Sequence, residues 1–300
     1  MRYRADKRIS RAISSVLTAV ILIAALYIIA DRVMDNQSTQ TVSYSEDDDF
    51  VRVIDVGQGD SILISSNGKN CLIDTGDFGT DGDLCKRLKG YGIKKLDVLA
   101  ITHFHDDHSG GSEAVTETFE IDNLIYPDSK KTESYSENER IARQNVLAED
   151  GDFKVAKKGM NFDIGDFKIE IIGYYPELEN ENSKSVVFMA KIRGKKFLIT
   201  GDAESDTESK MLKDGVDVSC DVLKVGHHGS STSTSKKFLK AASPTFAAIS
   251  CGKGNKYSHP HDETISKLEK AKIKIFRTDI TGDITFLVTE SGSINVNTEK

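Results

Sequence analysis

Apolar and polar positions alternate along this chain in short blocks of two kinds. Brief apolar runs bounded by Gly, Asn, Asp or Ser read as strands. In the first half these lie at residues 50–56, 61–65, 70–74, 96–101 and 121–126. In the second half they lie at 152–155, 161–164, 167–172, 186–192, 196–199, 222–225, 246–250, 273–277, 282–288 and 293–296. Helical spacing covers 83–91, 112–118, 133–149, 204–213, 235–241 and 262–270. Strand clusters that carry helices in each half predict an α/β architecture of two packed sheets flanked by helices.

The N-terminus follows a different pattern. Arg2, Arg4, Lys7, Arg8 and Arg11 precede Ala12 to Ala30, a run without charge, interrupted only by Ser14, Ser15, Thr18 and Tyr27. At ~1.5 Å per residue a helix over residues 12–30 spans about 30 Å, the thickness of a bilayer's hydrocarbon core. The expectation is one N-terminal transmembrane helix, a single-pass anchor to the cell membrane with its basic tip in the cytoplasm. Everything after Asp31 then lies outside the cytoplasm. Secretion after signal cleavage is the alternative; the length of the apolar run and Ile28 near the would-be cleavage point count against it. Residues 36–49 are polar and end in Glu46-Asp47-Asp48-Asp49, which reads as a solvated linker. The plan is an anchor at 1–35, an acidic linker at 36–49 and a globular domain at 50–300.

Composition narrows the chemistry. Trp is absent and aromatics make up 7%, so the core must be mainly aliphatic. The four cysteines, Cys71, Cys85, Cys220 and Cys251, have no CxxC spacing; Cys71 and Cys220 sit in or beside apolar strand-like runs, where a buried free thiol is the commoner reading, with a disulfide left open. Residues 1–35 hold six of the 40 Lys and Arg and three of the 47 Asp and Glu, so the remainder carries 34 against 44, a balance of −10. A protein that tracks many DNA phosphates usually shows a basic stripe. Only Lys236, Lys237 and Lys240, and Lys253 with Lys256, offer local positive patches.

Three of the seven histidines fall in Thr102-His103-Phe104-His105-Asp106-Asp107-His108-Ser109-Gly110-Gly111, directly after the strand at 96–101. In an extended segment side chains two apart point the same way, so His103, His105 and Asp107 converge while His108 faces a neighbouring point. Imidazole and carboxylate together are ligands for a borderline divalent cation. The other four histidines, His227, His228, His259 and His261, also follow strand-like segments.

A strand followed by THxHxDHxGG resembles the metallo-β-lactamase superfamily, whose fold is a four-layer αβ/βα sandwich. The narrower resemblance is to its ComEC/Rec2-like branch, the class holding the soluble domain of a DNA-uptake protein. It rests on Asp55-Val56-Gly57-Gln58-Gly59-Asp60-Ser61, Leu72-Ile73-Asp74-Thr75-Gly76, Leu198 to Glu204, Val222 to Ser230 and Ser258-His259-Pro260-His261. This resemblance implies two divalent metal ions, zinc or manganese, held by His103, His105, Asp107, His108, Asp202 and His227. Asp107, His228 and His259 are then the catalytic candidates, and Asn182, Ser185 and Lys224 the substrate contacts. Asp74 and Asp60 support the ligands from behind. His227, at the end of the strand at 222–225, then completes the second metal, and His228, one residue on, points elsewhere, towards substrate or the ligands' support; which of the adjacent pair is the ligand stays open. One departure stands out: the superfamily usually supplies a further histidine before the Asp202 position, and residues 109–226 contain none. Two cations ~3.5–4 Å apart acidify a water and neutralise phosphoester oxygens. The expected activity is thus hydrolysis of a phosphodiester, DNA first, by a metal-activated hydroxide. A cell-envelope phosphorylcholine or teichoic-acid-type ester is the alternative substrate, and a metal-poor binding module the alternative without chemistry. No protein partner is implied.

Overall fold

The computed structural model describes residue 45 and residues 47–129 and 137–300. The transmembrane helix expected at 12–30, most of the linker and the start of the helix expected from 133 lie outside the described residues. Among the described residues no helix is long and apolar enough to cross a membrane.

Among the described residues, fifteen strands follow in chain order: β1 (Asp49–Val53), β2 (Ile62–Ser66), β3 (Lys69–Ile73), β4 (Lys95–Ala100), β5 (Glu120–Tyr126), β6 (Asp152–Val155), β7 (Asn161–Ile164), β8 (Phe167–Gly173), β9 (Val187–Ile192), β10 (Lys195–Ile199), β11 (Val222–Lys224), β12 (Phe246–Ile249), β13 (Lys274–Arg277), β14 (Ile284–Val288) and β15 (Ile294–Thr298). Between them run α1 (Asp81–Gly90), α2 (Asp106–Ser109), α3 (Ser112–Thr118), α4 (Glu137–Ala148), α5 (Ser205–Lys213), α6 (Lys236–Ala242), α7 (Asp262–Lys270) and α8 (Thr278–Thr281). One sheet has the order β15-β14-β1-β2-β3-β4-β5-β6, the other β13-β12-β11-β10-β9-β8-β7.

Period-two alternation explains the layers. Val51, Val53, Ile62, Ile64, Cys71 and Ile73 point from the first sheet into one cluster with Phe188, Ala190, Phe197 and Ile199 of the second. Their neighbours Phe50, Leu63 and Leu72 point the opposite way, to Leu84 and Leu88 of α1 and Val115 of α3. On the far face of the second sheet Val187, Met189 and Leu198 meet Met211, Phe238 and Leu268 of α5, α6 and α7. The result is a helix–sheet–sheet–helix sandwich. All four cysteines are buried.

Sheet direction decides where the chemistry can sit. The pairs β3–β4 and β4–β5 are parallel, as are β10–β11 and β11–β12. Strands that run the same way bring their C-terminal loops to one edge, where open α/β sheets form crevices. Asp74 after β3, His103–His108 after β4, Asp202 after β10 and His227–His228 after β11 all leave such ends.

Two elements differ from the pattern-based expectation. Residues 106–109, read as extended, form the short helix α2, because the backbone N–H groups of His108 and Ser109 donate to the carbonyl of His105. The α8 turn interrupts the space between the strands expected at 273–277 and 282–288 and has too few residues to show a period.

Candidate metal centre

His108 is the best-fixed ring of the cluster. Asp74 leaves β3 in the left-handed region, φ +63°, which Asp tolerates better than most residues. Its carboxylate accepts from the Thr102 backbone N–H at 2.7 Å and from Thr102 Oγ1 at 2.8 Å. The same carboxylate lies 2.7 Å from His108 Nδ1, and a carboxylate only accepts, so Nδ1 carries the proton. Nε2 of His108 is thereby turned inward, 3.2 Å from Asp202 Oδ1 and 3.3 Å from His228 Nε2.

Asp202 stands between the two sheets. Its Oδ2 lies 3.5 Å from His228 Nε2, 3.6 Å from His227 Nε2 and 4.0 Å from His103 Nε2. The backbone N–H of Asp202 donates to Ser185 Oγ at 3.1 Å, and Ser185 Oγ also lies 3.3 Å from His103 Nδ1. His103 Nε2 is 3.1 Å from Nδ1 of the exposed His105. Close approach of the two halves depends on Gly201, whose φ is +51°; a Cβ there would meet the Thr102 side chain at 2.8 Å.

The adjacent histidines diverge because both adopt left-handed backbone, φ +50° at His227 and +52° at His228. Such conformations cost of order 1–3 kcal/mol each and concentrate at functional sites. His228 is buried: Nδ1 faces the Ser250 carbonyl at 3.0 Å and Asp60 Oδ1 at 3.3 Å, while Nε2 lies 3.2 Å from Asp107 Oδ2. His227 sits nearer the rim, with Nδ1 3.3 Å from Glu204 Oε1 and Nε2 3.5 Å from Asn182 Nδ2.

The electrostatics follow from packing carboxylates and imidazoles together without solvent. Burial alone would push the His108 and His228 rings down. Around His108 the carboxylates of Asp202 and Asp74 outweigh it and hold the ring well above its ordinary value. Around His228 the carboxylates of Asp202, Asp107 and Asp60 do the same, raising it to about 10. Burial, and then the positive charge on His108, push His103 well below the usual range. Asp202 is driven far down, because the His228 and His108 charges overcome its desolvation.

These groups fit a divalent cation. Asp60, His108, Asp202 and His228 offer ligand atoms within 4.8 Å of one another. Asp202 Oδ1 is buried and accepts no hydrogen bond, although His108 Nε2 lies 3.2 Å away. The buried carboxylates are balanced by imidazole protons, the positive charge a cation would replace. Of the four, Asp60 faces the outward nitrogen of His228 and holds Lys224 Nζ at 2.7 Å, so it supports the ring rather than shares the space beside Asp202.

A model of the metallo-β-lactamase superfamily matches residues 54–253. The chain belongs to that superfamily. ComE operon protein 3 of Bacillus subtilis is 31% identical over 258 residues, which cover 79% of this chain and 32% of that protein. Competence protein ComA of Neisseria gonorrhoeae is 31% identical over 243 residues, 80% of this chain and 32% of that one. The chain thus spans about a third of the length of these relatives, 32% in both cases. Among solved structures the metallo-β-lactamase fold protein YhfI of Bacillus subtilis superposes with a TM-score of 0.52 at 12% identity, covering 83% of this chain and 100% of its own, a likeness of fold.

Within this metallo-β-lactamase domain, His103, His105, Asp107, His108, Asp202 and His227 all come to the one edge, from three loops of both sheets. Three expectations need correction. His228, expected to point away from the centre, has its Nε2 inside it, because the left-handed backbone breaks the alternation assumed for an extended segment. Ser185, expected to touch substrate, is fully buried behind Asp202 and His103. Lys224, also expected to touch substrate, is 2% exposed, with its ammonium on Asp60 and the Val225 carbonyl. Asp74 lies behind His108, where a positioning carboxylate belongs. Asn182 does border the site, and its Oδ1 is buried without a partner. His259 stacks near His228, ring centroids 6.1 Å apart. Glu204, against His227, was not singled out in the sequence; its place four residues after Thr200 resembles an ordinary helix start, and the structure puts it at the N-cap of α5.

Proposed function

We propose that this chain is a metal-dependent phosphodiesterase that cleaves DNA outside the cytoplasm, held at the membrane through residues 12–30. The observation that carries the reading is the Asp202 carboxylate, shared by imidazoles from both sheets in a buried cluster. His108, His228, Asp107 and Asp202 would hold one divalent cation, and His103, His105 and Asp202, with His227 at hand, a second. Divalent cations there would acidify a water and neutralise the phosphate oxygens as charge builds during displacement.

The chain's own residues then have distinct tasks. Asp74 and Asp60 fix the tautomers of His108 and His228, so that Nε2 of each points inward. Ser185 and Thr102 position Asp202 and His103. His228 has both nitrogens engaged and is not the proton donor to a leaving oxygen. His259 is held down to about 4 by burial and then by the neighbouring His228, His227 and His261. It is therefore neutral at physiological pH and contributes a hydrogen bond to substrate rather than an imidazolium proton. The name of one relative, Competence protein ComA of Neisseria gonorrhoeae, is in keeping with DNA as the substrate.

The deciding experiment offers the metal-loaded chain linear DNA and, separately, a phosphorylcholine ester. DNA cleavage that stops on chelation is expected. Cleavage of the ester alone, or of neither, would overturn the reading.

A further inference from the structure

Two exposed aromatic side chains stand out among the described residues, Phe78 and Tyr257, at 52% and 49% exposure. A lone surface aromatic needs no explanation. Tyr257 is different because of what lies behind it. Its ring stacks on His259 with centroids 5.6 Å apart and planes 23° from parallel. His259 in turn stacks on His228, 6.1 Å away at 29°. A ladder of three near-parallel rings thus leads from solvent to the centre. His259 Nδ1, within this ladder, is buried and has no hydrogen-bond partner among the described residues.

The loop that presents Tyr257 is tied by one side chain. Asn255 Oδ1 accepts from the backbone N–H groups of Tyr257 at 3.1 Å and His259 at 2.9 Å. Its Nδ2 donates to the carbonyls of Gly252 at 2.9 Å and His259 at 2.6 Å. The exposed ring is therefore held in place before any ligand arrives, which lowers the ordering cost of binding. Lys256 Nζ lies 5.0 Å from the centroid of the Tyr257 ring. Phe78 adjoins the histidine loop, since a Cβ on Gly110 would meet its backbone N at 2.5 Å.

We infer that Tyr257, backed by His259 and flanked by Lys256, seats an unpaired nucleobase next to the phosphate at the metal centre. The inference rests on the phosphodiesterase reading and names its substrate class: single-stranded nucleic acid or frayed ends. An aromatic face stacks on any base, and the neighbouring ammonium suits the adjoining phosphate. His259 Nδ1 supplies an unused polar atom for a phosphate oxygen or base edge.

The test measures binding of fluorescent oligonucleotides to the metal-free chain by anisotropy, and their cleavage by the metal-loaded chain. A single strand, an abasic strand of the same length, a blunt duplex and phosphocholine are compared. The native chain should prefer the base-bearing strand over the abasic one by about fivefold or more. That preference should collapse towards one in Tyr257→Ala and persist in Tyr257→Phe. A preference unchanged in Tyr257→Ala, a duplex bound as tightly as the single strand, or Tyr257-dependent binding of phosphocholine alone would overturn the inference. Tyr257-dependent binding without cleavage would sustain the seat and overturn the phosphodiesterase reading instead.

Discussion

Replacing Lys224 by Met probes the support behind His228. The Lys224 ammonium is buried, 2.7 Å from Asp60 Oδ2 and 3.0 Å from the Val225 carbonyl. Asp60 is itself fully buried; desolvation pushes its carboxyl up, but Lys224 first and His228 next outweigh that and lower it to about 2. Removing one partner of a buried ion pair leaves the other charge uncompensated and costs roughly 3–5 kcal/mol. For a domain of this size that corresponds to a fall in Tm of roughly 6–20 °C. Lys224→Met, Asp60→Asn and the double variant, unfolded by denaturant in the presence of chelator, close a thermodynamic cycle. A coupling of about 1–3 kcal/mol is expected, with the double variant more stable than the sum of the single changes allows. Because Asp60 Oδ1 faces His228 Nδ1, each single variant should also weaken metal binding by about 10–100-fold in a chelator competition. Strictly additive stabilities, with metal affinity unchanged and only DNA affinity reduced, would refute the reasoning and return Lys224 to a substrate-contacting role.

Other outcomes follow from the same geometry. In the metal-free chain His228 is raised to about 10 from an ordinary 6.5, so its contribution to stability is full below pH 6.5 and is lost as pH rises towards 10. The Tm of the metal-free chain should fall across that window and that of the metal-loaded chain should not; parallel curves would contradict it. Gly59 has φ +142° and a Cβ there would meet the Asp107 carbonyl oxygen at 2.4 Å, so Gly59→Ala should cost roughly 1–3 kcal/mol in denaturant unfolding, whereas a neutral change would refute the close approach. Burial pushes the Cys220 and Cys251 thiols up to about 12, and all four cysteines are enclosed, so a disulfide-exchange reagent at pH 8 should label them only after unfolding. Rapid labelling of the native chain would contradict that packing.

Much of this fold was legible because its strands are buried on one or both faces and bounded by turn residues. The runs at 61–65, 70–74 and 196–199 became β2, β3 and β10 within a residue or two at each end. Period-two alternation even predicts which side chains meet between the sheets, as in Val51 and Val53 against Phe50. The site was legible as a set of residue types but not as a set of directions. Parity along an extended chain misassigned His228, because nothing in His227-His228 announces two left-handed residues in succession; glycine would have signalled them, and here Gly226 and Gly229 only flank them. Lys224 and Ser185 failed for another reason. Polar residues near a strand end can face substrate or be enclosed by partners far away in sequence, and the Asp60 and Asp202 pairings span 164 and 17 positions, as the residue numbers show. Burial of a paired charge leaves no local trace.

The residues of both sheet edges are held together here as a site for divalent cations, and counting those cations tests that idea most directly. Metal bound to the purified native chain, measured by mass spectrometry after equilibration with zinc or manganese and removal of the free ion, should exceed one equivalent and fall sharply in Asp202→Ala. A folded native chain that retains no divalent metal would contradict it, leaving a binding module built on a hydrolase fold.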